Sequence, residues 1–124
     1  MSADLENFIA GYKACALWSS TDNSTESGGD PLDRNYDVED FSRTALIEMS
    51  ADCKKFVSEN VAMLEWKGDY SQHGHDFWLT RNHHGAGFWD RGYPEEMGKS
   101  LTDAAHAFGE CDLIVGEDGE IHLM

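Results

Sequence analysis

Twenty-four acidic side chains face nine basic ones, and the resulting formal charge of -15 is far beyond what solubility alone asks of a small domain. Any fold must keep those carboxylates in water and build its interior from what is left. The remainder suffices, because 40% of the 124 residues are hydrophobic and 11% aromatic, the make-up of a chain that folds. That length fits a single domain, residues 1–124, with no room for a second core. A surface of this sign repels phosphate backbones and anionic lipid headgroups and attracts cations and basic proteins. Direct nucleic-acid binding and membrane binding are therefore not expected, and the expected partner is a basic protein.

Cys15, Cys53 and Cys111 are odd in number, far apart and flanked by apolar residues, which fits buried reduced thiols better than a disulfide frame. Met1 is followed by Ser2, Ala3, Asp4 and Glu6, unlike a secretory leader, and no apolar run approaches the roughly 20 residues of a membrane span. The expected location is the cytoplasm.

Leu5, Phe8, Ile9, Tyr12, Ala16 and Leu17 recur at three- and four-residue spacings, which predicts an amphipathic helix over 4–19 with Ser2 or Asp4 as its cap. Residues 20–36 are acidic, polar and rich in Gly and Asp-Pro, which predicts a mobile loop. Leu46, Met49, Cys53, Phe56, Asn60 and Leu64 form the stripe of a second helix over about 38–66. Asp37, Glu39 and Asp40 suit its positive end, a break is expected near Ser50, and Gly68 stops it.

Between Trp66 and Tyr93 the texture changes, with seven of the fourteen aromatics and four of the six histidines. Residues 75–81 and 86–91, separated by Asn82-His83-His84-Gly85, predict a β-hairpin. In its register Asp76 faces Arg91, Trp78 faces Trp89 and Leu79 faces Phe88, each a favourable cross-strand pair. Pro94, Glu95 and Glu96 open a third helix through Met97, Leu101, Ala104, Ala105 and Phe108, stopped by Gly109. Residues 112–115 and 120–123 flank an Asp118-Gly119 turn as a second hairpin. The expected fold class is α+β, with helices packed on one face of a small, largely antiparallel sheet in the order α-α-β-β-α-β-β.

The histidines invite a metal reading, since His73, His75 and Asp76 supply ligands on one side and His83 and His84 on the other. In the hairpin the two groups stand about 20 Å or more apart, too far for one tetrahedron, so neither metal nor cofactor is expected. Gly-x-Ser-x-Gly, a Walker loop and Gly-x-Gly-x-x-Gly are all absent, and Gly85-Ala86-Gly87 stands alone. His75, Asp76, His84 and Asp90 have acid–base chemistry but match no catalytic template. The aromatics on both strand faces imply a sheet covered on both sides or a face kept for a partner. The candidate partner- or ligand-binding residues are thus His75, Asp76, Trp78, Arg81, His84, Trp89, Asp90 and Arg91.

The acidity is uneven. Residues 1–40 carry nine acids against Lys13 and Arg34, and residues 110–124 carry five against no base. Ordered rows of carboxylates can imitate the phosphates of a duplex in a basic cleft; a merely solvated surface is the plainer alternative.

The stretch His75-Asp-Phe-Trp-Leu-Thr-Arg-Asn-His-His-Gly-Ala-Gly-Phe-Trp-Asp-Arg-Gly92 resembles a widespread family of small acidic proteins of tailed bacteriophages and prophages, for which no activity is established. Leu101-Thr-Asp-Ala-Ala-His-Ala-Phe-Gly-Glu-Cys-Asp-Leu-Ile-Val-Gly-Glu-Asp-Gly119 looks like the same family, so the likeness runs from about Ala45 to the end. The resemblance implies a phage gene expressed in the cytoplasm of a bacterial host and brings no catalytic residue with it. The leading expectation is a non-enzymatic accessory protein that inhibits a basic host protein, a nucleic-acid-handling or defence enzyme, in the manner of a DNA mimic. The alternatives are a small enzyme binding a metal or anionic ligand at the 73–93 hairpin, through His75, Asp76, Arg81, His84 and Arg91, and a virion or assembly accessory.

Overall fold

A computed structural model describes residues 2–22, 30–84 and 86–123. Helix α1 (Ser2–Ser19) buries Phe8, Tyr12, Ala16 and Leu17 of the predicted stripe, with Cys15 buried beside them. Thr21–Asp22 (β1) then pairs antiparallel with Asp30–Pro31 (β2), and a 3-10 turn over Leu32–Arg34 buries Leu32. The described parts of the expected loop over 20–36 thus carry short regular elements, and its centre, residues 23–29, lies outside the described residues.

The second helix starts later than its stripe suggests. Asp37 and Asp40 close a capping box around a 3-10 turn, Val38–Asp40, and Phe41 runs extended. Only then does Ser42 accept from the Ala45 N–H and begin α2 (Arg43–Glu65). The irregularity sits at Asn60 and not near Ser50: the Asn60 side chain donates to the Phe56 carbonyl at 2.9 Å, competing with the helical ladder.

The hairpin expected over 75–91 is replaced by α3 (Tyr70–Arg81) and a 3-10 turn at Phe88–Asp90. The Asp69 side chain caps α3 by accepting from the Gln72 N–H, and nine of its twelve residues are buried. A helix buried on nearly every side has no polar stripe, which leaves an aromatic-rich composition free to pass for strand. The supposed turn is the helix end: Asn82 donates to the Trp78 carbonyl, and His83 takes the left-handed conformation at φ 58°. Trp78 is buried while Trp89 is 46% exposed, so the expected hairpin register is absent.

Helix α4 (Glu95–His106) and the closing ribbon of Leu113–Val115 (β3) with Ile121–Leu123 (β4) fall where the sequence predicts them. Helices and two small antiparallel ribbons make the chain α+β, but among the described residues there is no broad sheet for helices to cover, and the core lies between helices. Phe56 stacks on Phe77 at 4.3 Å, with Phe8, Tyr12, Phe88 and Phe108 around them. Helices α1 and α3 cross with their backbones in contact: a Cβ at Gly74 would fall on the Phe8 carbonyl, and one at Gly11 on that of Ser71. No helix among the described residues is long and apolar enough to cross a membrane.

Candidate functional site

After α3 the chain folds back along it in three rungs. The Phe88 N–H donates to Thr80 Oγ1, Arg91 meets Asp76, and Tyr93 reaches His73. Asp76 is completely buried, and its carboxylate accepts from Arg91 Nε at 3.0 and 3.1 Å, Arg91 Nη2 at 2.8 Å and Gln72 Nε2 at 3.0 Å. The Asp76–Arg91 contact expected across a hairpin is thus made, but from a helix to a returning loop.

His73 Nε2 lies 2.8 Å from the Leu64 carbonyl, which can only accept, so Nε2 carries the proton and Nδ1 accepts from the Tyr93 hydroxyl at 3.1 Å. Burial lowers the His73 pKa and raises that of Tyr93, keeping both neutral. A cleft of about 190 Å³ lined by Lys67, Gln72 and Tyr93 opens beside them. Asp76 with Arg91 and His73 with Tyr93 are committed to one another, an arrangement that orients the returning loop.

Arg81 is equally committed. It donates to the carbonyls of Phe108 and Gly109, to Tyr12 Oη and to Asp52, and its plane packs over Phe77 and Phe108. The remaining expected site residues are scattered. Trp78 is buried and donates to Ser19 Oγ; His75 packs by Trp18 with Nδ1 buried and unpartnered; His84 lines a separate cavity; Trp89 and Asp90 lie on the surface. The structure therefore joins Asp76 with Arg91 but does not gather His75, Arg81 and His84 around one ligand. The sequence reading missed Gln72 and Tyr93, although a helix period counted from Asp69 puts Gln72, His73 and Asp76 on consecutive turns.

Negative charge is concentrated at the two ends of the chain. Residues 1–40 and 110–124 together hold fourteen acids against two bases, and the chain links these stretches through a parallel bridge between Phe41 and Ile121. The Ser42 N–H donates to the Ile121 carbonyl at 2.8 Å, locking the register. Asp40 and Glu120 immediately precede the two bridged residues, which run in the same direction, and no Lys or Arg occurs in 35–42 or 110–124. Each segment carries local hydrogen bonds, the first its capping box and the second Asp118 accepting from the Glu120 N–H.

No family model, curated protein or solved structure matches the chain.

Asp118, Glu120 and His122 on this edge bring ligand-type atoms within 4.8 Å of one another. The trio is internally occupied: the Glu120 N–H and then the His122 ring hold the Asp118 carboxyl below its usual pKa range.

Three free thiols complete the inventory of reactive groups. Burial pushes Cys15 up to about 12 and raises Cys53 and Cys111 as well, which disfavours the thiolate at neutral pH.

Proposed function

We propose that this protein is a non-enzymatic acidic docking domain that binds a basic protein surface. In the phage setting that the sequence resemblance implies, the partner is a host protein that handles nucleic acid, and binding blocks it. The observation that carries the reading is the parallel Phe41–Ile121 bridge, which joins the two most acidic stretches of the chain with Asp40 and Glu120 immediately before the bridged residues, an acidic edge. Fixed carboxylates without intervening bases present a field that loose side chains cannot, and such fields speed and align association with basic surfaces.

The test separates this edge from acidity in general. One variant neutralises the edge (Asp37→Asn, Glu39→Gln, Glu117→Gln, Asp118→Asn, Glu120→Gln), and a control neutralises five acids elsewhere (Glu6→Gln, Glu59→Gln, Glu65→Gln, Asp90→Asn, Glu96→Gln). Titrated with octa-arginine as a basic probe, the edge variant is expected to bind about tenfold more weakly, a loss of about 1.4 kcal/mol, and the control far less affected. Equal losses in both would mean that the carboxylates act only as a diffuse field, and the docking proposal would fall.

A further inference from the structure

Of four cavities on the described surface, three are lined by Lys or Arg: Lys99 in one, Lys55 in the second, Lys67 and Arg91 in the third. The largest of these four, about 510 Å³, is lined by Glu110 and Asp112 with His84 and no Lys or Arg. This volume falls in the range of roughly 300–1,000 Å³ common for small-ligand pockets.

Its walls are fixed. Asn82 accepts from the Cys111 N–H at 2.7 Å and donates to the Trp78 carbonyl, joining the end of α3 to the segment before β3. Trp78 is pinned by its bond to Ser19 Oγ at the end of α1. The C-terminal ends of α1 and α3 thus meet at one cavity, and a helix C-terminus carries partial negative charge. Helix α1 has no basic residue in its last turn, and Arg81, at the end of α3, is engaged with Asp52, Phe108 and Gly109. Asp112 Oδ1 accepts from the Leu113 N–H, which orients the carboxylate.

We propose that this cavity receives an arginine side chain of the basic partner, its aliphatic stem against Trp78 and Cys111 and its guanidinium at Glu110 and Asp112. The inference rests on the docking proposal and locates its anchor. Arginine fits better than lysine because its forked donors can serve two carboxylates at once. Position supports the link: Asp112 and the Glu117–Glu120 turn lie at opposite ends of β3, about 13–17 Å apart at roughly 3.3 Å per residue. A basic segment lying along the acidic edge can therefore place one side chain in the cavity.

The experiment titrates the full-length protein with acetyl-Gly-Arg-Gly-amide and follows backbone amide shifts, with the neutral citrulline peptide and Mg²⁺ as further arms. The arginine peptide is expected to shift Thr21, Cys111 and Asp112 saturably, and the citrulline peptide is not. Glu110→Gln with Asp112→Asn should weaken binding by about fivefold or more, with Glu110→Gln alone as the test if the double variant is misfolded. The edge variant described above should bind the tripeptide within about twofold of the parent. Equal shifts from citrulline, shifts confined to 37–40 and 117–120, no loss in the cavity variants, or competition by Mg²⁺ at the same amides would each overturn the assignment. The two proposals fail separately. Loss of tripeptide binding alone removes the arginine pocket, and loss of the edge-specific octa-arginine effect alone removes the docking edge.

Discussion

Asp76 and Arg91 differ in burial, and the difference predicts unequal costs. Asp76 is fully enclosed, whereas the Arg91 side chain is 32% exposed. Arg91→Met strands a buried carboxylate and should cost about 3–5 kcal/mol, as breaking a buried pair does. Asp76→Asn keeps hydrogen-bond partners for Gln72 and Arg91 and leaves the cation a route to water, so it should cost clearly less. Urea unfolding of the two variants measures both, and the opposite ranking would contradict the assigned burial. His73 carries a second prediction at this scale. Its folded pKa is lowered by burial, so the unfolded chain takes up the proton first as pH falls. The stabilisation is complete above the unfolded value of about 6.5 and is lost below it, by up to about 1.4 kcal/mol per pH unit for one proton. His75 is lowered for the same reason and adds in the same sense. Between pH 7 and 5 the unfolding free energy should fall more steeply in the parent than in His73→Gln; parallel curves would place His73 outside this account.

The element that defines the molecule is the crossing of α1 with α3. Alanine in place of a helical glycine ordinarily gains up to about 1 kcal/mol. At Gly74 the added methyl meets the Phe8 carbonyl and the Tyr12 amide, which are backbone and cannot swing aside. Gly74→Ala should therefore destabilise by more than about 3 kcal/mol or prevent folding, while alanine at Gly109, where φ is +78° but nothing lies within 4 Å, pays only for its backbone strain. Thermal denaturation distinguishes them. This crossing also marks the limit of what the sequence discloses. Helices α1, α2 and α4 are legible because each has a wet side, and the β3–β4 ribbon is legible from Asp118-Gly119. Helix α3 is not, because its surroundings are apolar almost all round and its histidines, tryptophans and threonine read as strand. The Asp76–Arg91 contact survived that error, since a loop returning along a helix and a hairpin both bring the second half of the motif back onto the first.

For the molecule as a whole, the charge imbalance was plain in the sequence and its placement was not. Residues 37–40 and 117–120 are separated by most of the chain, and the Phe41–Ile121 bridge links the segments that follow them. The cavity at Glu110 and Asp112 was equally hidden, because its far wall is the end of the misread helix. The docking reading requires that carboxylate position matters and not only carboxylate number. The most direct measurement is the dissociation constant of octa-arginine for parent, edge variant and control as salt rises from low concentration to about 0.15 M, where charges more than about 8 Å apart are screened. Parent and control should share a steep loss of affinity with salt, and the edge variant should start weaker and follow a shallower slope. Identical slopes for edge variant and control would contradict the docking reading and leave the acidity as solvated surface.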